Sequence, residues 1–251
     1  MNLSEPAAPT VLVDHYRESA HGRASNVTYK GLAIHAWPGL HEYAFEQFAR
    51  HVAPGAGVLE LAAGSGAMSL RLSDAGYRVT ATDYVPENFR PRDSIPFFSC
   101  DLNAAFAAGR EASVDAICAL EIIEHLENPR HLLRQCFRAL KPGGIVLLST
   151  PNLDNAASLV CFLRERSFQW FSDQDYAHDG HITPVSQWQM HKSSAEAGFE
   201  TVWRGSFGDQ FQRLRGSPRL YWLARALDRL MVREPGLTGQ IYLTVLRKPQ
   251  A

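Results

Sequence analysis

The chain has 251 residues, 45% of them hydrophobic and 20% charged, with a formal net charge of −1. This suits one globular domain with insertions, and it provides no global positive field to draw in nucleic acid or an anionic membrane. The four cysteines (Cys100, Cys118, Cys136, Cys161) form no CxxC pair, which argues against disulfides and a thiolate zinc site and for a reducing, cytoplasmic setting.

No apolar run reaches the ~20 residues that span a bilayer, and MNLSEPAAPT has neither the basic nor the apolar region expected of a signal peptide. Residues 1–30 are polar and irregular, and an N-terminal arm or lid is expected over 1–38. GLHEYAFEQFARHV (39–52) spaces Leu40, Tyr43, Ala44, Phe48 and Val52 along one face of a helix, which APGAG stops. VLELAA (58–63) predicts a strand running into GSG, and MSLRLSDAG a helix ending near Gly76. Strands follow at YRVTATD (77–83), IPFFSCD (95–101) and VDAICALE (114–121). A helix over 128–144 is closed by Pro-Gly-Gly, and IVLLSTP is the fifth strand. After 151 the rhythm changes. NAASLVCFLRER (155–166) reads as a helix, SFQWFSDQDYAHDGHITP as an aromatic loop, and VSQWQMHKSSAEAG as a helix closed by Gly198. FETVWRGSF (199–207) reads as a strand. SPRLYWLARALDRLM (217–231) is an amphipathic helix with Ser217 as N-cap and Pro218 behind it, and GQIYLTVLRKP is a last strand.

Strands alternating with helices predict a parallel sheet with right-handed crossovers and ligands at the carboxyl ends of its strands. Gly64, Asp83, Asp101, Glu121 and Thr150 fall at those ends. Gly-x-Gly (64–66) lies at a strand-to-helix turn, where glycine admits positive φ and close backbone approach to a ligand. Asp83, about 20 residues on, suits ribose hydroxyls. A dinucleotide fingerprint would have Gly or Ala where Ser69 stands. Glu60, inside the first strand, would also repel a pyrophosphate but welcome an ammonium group.

VLELAAGSGAMSLRL, VTATDYVPEN, SCDLN, VDAICALEIIEHLENPRHLLRQCFRALKPGGIVLLSTPN and AGFE, in this order over roughly residues 55–205, resemble the motifs of class I S-adenosylmethionine-dependent methyltransferases, with most likeness to the ubiquinone-pathway type of O-methyltransferase. The resemblance implies an α/β fold: a seven-stranded, mostly parallel, doubly wound, Rossmann-like sheet with its last strand antiparallel. It makes 39–251 the methyltransferase domain, with insertions at about 151–198 and 207–238 forming an acceptor site or cap. By the same resemblance Glu60, Ala62, Gly64 and Gly66 line the methionine part of S-adenosylmethionine. Asp83, followed by Tyr84, holds the ribose, Asp101 and Leu102 flank the adenine, and Glu121 begins the loop beneath the sulfonium. Ala62 stands where the commonest pattern has glycine, so a tighter turn is expected there.

EIIEHL remains to be explained. On a helical turn Glu121, Glu124 and His125 share a face, and two carboxylates with an imidazole make a facial set for Mg²⁺ or Zn²⁺. In ubiquinone-type enzymes and in small-RNA 3′-end 2′-O-methyltransferases this stretch goes with a divalent metal and a downstream histidine. His178 and His181 are both candidates for that ligand. A metal would act as a Lewis acid on the acceptor hydroxyl, whereas His125 without metal would be a general base, with Glu124 and His181 as the other catalytic candidates. In the bland alternative Glu124 pairs with Arg130 or Arg134, and His125 simply packs.

Trp37, Trp170, Phe171 and Trp188 are candidates for acceptor-pocket walls or for core, and Tyr16, His35 and His41 for a lid or for packing. Seven arginines between 204 and 233 offer a contact for an anionic lipid surface or an acidic acceptor, against the weightier readings of a solvated helix face or a dimer contact. The expected function is methyl transfer to a hydroxyl of a small molecule or of a glycan or lipid intermediate, by a monomer or homodimer. Nucleic acid is not an expected partner. The alternatives are a nicotinamide-dependent oxidoreductase and a non-catalytic cofactor-binding protein.

Overall fold

The computed structural model describes residues 27–231 and 234–250; most of the expected arm, Tyr16 included, lies outside them. A short hairpin, β1 (Thr28–Tyr29) and β2 (Leu32–Ala33), precedes α1 (Leu40–His51). Then come β3 (Gly57–Leu61), α2 (Ala67–Asp74), β4 (Arg78–Asp83), β5 (Phe97–Ser99), β6 (Val114–Ala119), α3 (Pro129–Ala139) and β7 (Leu140–Pro151). The remaining elements are α4 (Ala156–Glu165), α5 (Asp173–Asp179), α6 (Gln187–Glu196), β8 (Glu200–Phe207), α7 (Pro218–Leu230) and β9 (Ile241–Arg247).

Seven strands form one sheet in the order β5-β4-β3-β6-β7-β9-β8. β3 to β7 run parallel, and β9 is antiparallel to both neighbours. The doubly wound α/β expectation is met, with GQIYLTVLRKP supplying the antiparallel strand. Both faces are buried, as a parallel sheet requires. Leu59, Leu61, Ile117, Ala119, Val146 and Leu148 face one layer, with Leu132, Leu133 and Cys136 of α3. The alternate residues Val58, Ala116, Cys118, Ile145 and Leu147 face the other, with Leu40, Ala44 and Phe48 of α1 and Leu72 of α2. A third cluster joins Ala156, Ala157 and Val160 of α4 to Ala224 of α7 and to Phe211 and Leu214. The segments 151–198 and 207–238 therefore meet.

Three local expectations change. The helix expected to reach 144 stops at Ala139, and Leu140 is already extended and paired with Val114. Pro142 disfavours helix at Lys141 and cannot itself continue one. The aromatic loop contains α5, whose Ser172 and Asp175 form a capping box. Ser217 precedes α7, but its side chain makes no capping hydrogen bond. Gly198 does close α6, at φ +99° just past the last helical residue.

Ile117 is fully buried at the middle of the central strands. Ile117→Ala should cost about 2–5 kcal/mol in urea unfolding, because the two packed layers leave the cavity little room to collapse.

Candidate active site

The site is built where the parallel strands end. After β3 the chain turns through Ala62 (φ +55°), Gly64 (φ +52°) and Gly66 (φ +88°) before α2. The Asp83 carboxylate, at the end of β4, accepts from the Gly64 N–H and the Val85 N–H, both at 2.8 Å. One side chain thus clamps two loops. A Cβ on Gly66 would lie 2.6 Å from Pro91 and 2.9 Å from Phe89, whereas one on Gly64 would meet nothing within 4 Å. Gly66 is required by packing, and Gly64 presents bare backbone to open space.

Glu60 is buried below this turn and accepts from the hydroxyl of Ser69, itself fully buried. Burial pushes the Glu60 carboxyl up to about 8; the Ser69 hydroxyl opposes this and the nearby Asp83 charge adds to it. Burial also raises Asp83, against backbone N–H groups that favour its charged form. Ser69, the residue that breaks the dinucleotide pattern, is the one that satisfies Glu60. Further along the edge, Tyr84 is exposed, Asp101 accepts from the Asn103 N–H at 2.8 Å, and Leu102 is buried in the core cluster.

EIIEHL folds differently from the helical turn expected. Glu121 sits in the left-handed region (φ +49°), and only Ile123–His125 form a 3-10 turn. Glu121 therefore shares no helical face with Glu124 and His125. It exchanges hydrogen bonds with Ser149 of β7: its N–H donates to the hydroxyl at 3.0 Å, and the hydroxyl donates to its carboxylate at 2.7 Å. Glu124 is fully buried. Its Oε2 accepts from Thr150 Oγ1 at 3.0 Å, and its Oε1 has no hydrogen-bond partner among the described residues.

The loop after α5 is stitched onto this turn. The N–H groups of Ile182 and Thr183 donate to the Glu124 carbonyl at 3.1 and 2.9 Å, and the Thr183 hydroxyl donates to the Leu126 carbonyl at 2.5 Å. His181 is carried in with them. Its ring lies 4.9 Å from that of His125, and the ligand atoms of Glu124, His125 and His181 all fall within 4.8 Å of one another. His181 Nδ1 is 2.8 Å from the Trp170 carbonyl. A carbonyl only accepts, so Nδ1 carries the proton and Nε2 presents its lone pair. Burial lowers His181 and pushes His125 down to about 3, leaving both rings neutral. Burial raises Glu121 and Glu124, and the Glu121 charge raises Glu124 further.

One carboxylate and two neutral imidazoles, with one buried oxygen unsatisfied, fit a divalent cation. Glu121 stays outside this set, held by Ser149. His178 lies outside it too, exposed on α5 with Nδ1 3.0 Å from Asp179.

A cavity of about 300 Å³ has in its wall Trp37 and Trp170, the residue whose carbonyl meets His181. The indoles meet edge to face at 5.5 Å, and Trp170 takes φ +73°. Arg213 lies 4.6 Å over the Trp170 ring and pairs with buried Asp175 at 2.8 Å. Phe171 packs on His181, whereas Trp188 is 69% exposed on α6 and takes no part. His41 packs within α1, where burial pushes it down to about 4, and His35 is exposed. Sequence reasoning missed Ser149, Asp175 and the positioning role of the Trp170 carbonyl. Only the S-x-x-D capping signal at Ser172 pointed toward any of them.

The fold and the strand-end acids define a class I methyltransferase domain. A family model described as a methyltransferase domain matches residues 35–203, and the chain belongs to this family of class I S-adenosylmethionine-dependent methyltransferases. It is 34% identical over 116 residues to a ubiquinone biosynthesis O-methyltransferase of Xanthomonas campestris pv. campestris, a stretch covering 43% of this chain and 48% of that protein. It is also 34% identical over 132 residues to a probable S-adenosylmethionine-dependent methyltransferase of Mycolicibacterium smegmatis, covering 50% and 49%. The matched stretch thus spans about half the length of these curated relatives. Among solved structures, a SAM-dependent methyltransferase from Archaeoglobus fulgidus superposes with a TM-score of 0.59 at 16% identity, covering 83% of this chain and 93% of that one; this likeness is one of fold.

Ala62 occupies a conformation that suits glycine. Ala62→Gly should relieve about 1 kcal/mol of strain, partly offset by the added entropy of the unfolded chain. A raised midpoint in thermal unfolding checks this; a lowered one contradicts it.

Proposed function

We propose that the protein transfers the methyl group of S-adenosylmethionine to a hydroxyl oxygen. The observation that carries this reading is the Gly64 turn: open backbone, clamped by Asp83, above a buried carboxyl at Glu60 that has no cationic partner among the described residues. An ammonium group supplies the missing charge, and a pyrophosphate does not. Glu60 faces the methionine ammonium beside Ala62, Gly64 and Gly66. Asp83 and Tyr84 take the ribose, Asp101 and Leu102 border the adenine, and Glu121 lies beneath the sulfonium.

The acceptor stands at Glu124, His125 and His181. Its oxygen attacks the methyl carbon in line, the carbon–sulfur bond breaks, and S-adenosylhomocysteine leaves; positioning provides much of the rate. Glu124, His125 and His181 would hold a divalent cation, Mg²⁺ or Zn²⁺, which when bound acts as a Lewis acid on the acceptor hydroxyl. Without one, His181 Nε2 takes the proton, its ring oriented by the Trp170 carbonyl. The family resemblance and the relative named as an O-methyltransferase support oxygen as the acceptor atom.

Two measurements test this. Binding of S-adenosylhomocysteine should ionise Glu60, whose carboxyl lies near 8 in the free protein. Calorimetry at pH 7 in buffers of different ionisation heat should then report release of about 0.9 proton. Affinity should rise with pH toward 8 and then level off. Glu60→Gln should abolish the release, and no heat at all with this ligand would end the methyltransferase reading. Separately, elemental analysis should find a bound divalent metal that EDTA removes, and Glu124→Gln should lower turnover about 100-fold or more. Full activity in EDTA, with no metal found, assigns the proton to His181 instead.

A further inference from the structure

The proposed methyl-transfer site has a wall whose chemistry narrows the acceptor. Resting on the methyl-transfer reading, we infer that the acceptor is a neutral polyhydroxylated ring, a sugar or cyclic polyol, seated against Trp37 and Trp170. The cavity is linked to the reacting cluster through Trp170, which lines it and whose carbonyl lies 2.8 Å from His181 Nδ1; Glu124, His125 and His181 are not themselves in the lining. At about 300 Å³ it sits at the small end of ligand pockets, room for one ring and not for a long chain.

Its apolar lining consists of the two indoles alone, with no aliphatic side chain. A prenyl or acyl tail would stay in water there and gain little from burial. The Trp37 indole suits the C–H face of a ring, as an aromatic side chain offers both area and orientation, while Trp170, whose face carries Arg213, meets Trp37 edge to face. Around them stand the amides of Gln174 and Gln212, which are exposed and hydrogen-bond to no other side chain among the described residues. Each amide both donates and accepts, which matches vicinal hydroxyls.

The charges argue against ionic acceptors of either sign. Arg213 is already offset by Asp175, and His178 faces Asp179, so no uncompensated positive group remains for a phosphate or carboxylate. A cationic amine would look for an aromatic face flanked by acids. Here the guanidinium of Arg213 occupies the Trp170 face at 4.6 Å and would repel it. A neutral polyol meets neither objection. One ring hydroxyl gains an O–CH3 bond as the S–CH3 bond breaks, S-adenosylhomocysteine departs, and the hydroxyl proton leaves by way of the reacting cluster to solvent.

Saturation-transfer difference NMR on the full chain saturated with S-adenosylhomocysteine tests this. The probes are methyl α-glucopyranoside and methyl α-rhamnopyranoside, with catechol, choline and benzoate as comparators. We expect a saturable signal from a glycoside, weakened at least tenfold in Trp37→Ala and in Gln212→Ala, while calorimetric binding of S-adenosylhomocysteine is unchanged in both variants. Gln212 is exposed, so its loss tests the contact without disturbing packing. No glycoside signal up to about 10 mM, a signal unchanged in both variants, or tighter binding of catechol, choline or benzoate would each overturn the inference. Calorimetry with S-adenosylhomocysteine reports on the methyl-transfer reading independently, so the two can fail separately.

Discussion

Four carboxyl groups crowd the ends of three adjacent strands: Asp83 on β4, Glu60 on β3, and Glu121 with Glu124 after β6. Burial raises every one of them above its ordinary range. Among the described residues none is paired with a lysine or arginine. Desolvated like charges at such spacing oppose folding unless they are protonated, hydrogen-bonded or met by a cation. The protein uses the first two devices through Ser69, Ser149, Thr150 and the backbone N–H groups around Asp83. The third is left to ligands, so the edge is selective for positively charged groups before any shape is considered.

How the edge is held explains what could be read in advance. Short apolar runs between helices identified the parallel strands, because strands buried on both faces are near-continuously apolar and end abruptly in polar residues. The Gly64 turn and Asp83 were legible for the same reason: both lie in sequence beside the strands they cap. The choice between His178 and His181 was not legible. The two stand three residues apart, on either side of Gly180, and either could have reached EIIEHL. Hydrogen bonds from Ile182 and Thr183 to the Glu124 carbonyl decide it, and backbone pairing across nearly sixty residues leaves no trace in composition or period. Glu121 was misplaced because the pattern E-x-x-E-H reads as a helical turn, whereas the left-handed residue at the strand end turns its carboxyl toward Ser149 instead.

The arginine-rich stretch after 204 shows a similar limit. Read as a run, it resembles a surface for anions. In space Arg204 pairs with Glu234, Arg215 with Asp209, and Arg213 with Asp175. Three of the seven arginines are thus met by acids, two of which, Asp175 and Glu234, lie outside the 204–233 run. Arg213 serves the cavity wall, where its guanidinium stacks on an indole and braces the helix that leads to His181. Charge counted along a chain measures a potential only when the partners are known.

Backbone strain follows the same map. Six residues other than glycine take positive φ among the described residues. Lys30, Ala112 and Arg166 do so at exposed positions between elements. Ala62, Glu121 and Trp170 do so at the candidate site: in the Gly64 turn, past the end of β6 and in the cavity wall. Such conformations cost of order 1–3 kcal/mol each and persist only where the surroundings over-determine them. Here those surroundings are a sheet packed on both faces, with its strand ends tied by side-chain hydrogen bonds. Relaxing Glu121 would swing its carboxyl away from Ser149, and relaxing Trp170 would withdraw the carbonyl that fixes the His181 tautomer. The strain is therefore tied to the placement of the groups that make up the candidate site, and the core burial of the central strands is what sustains it.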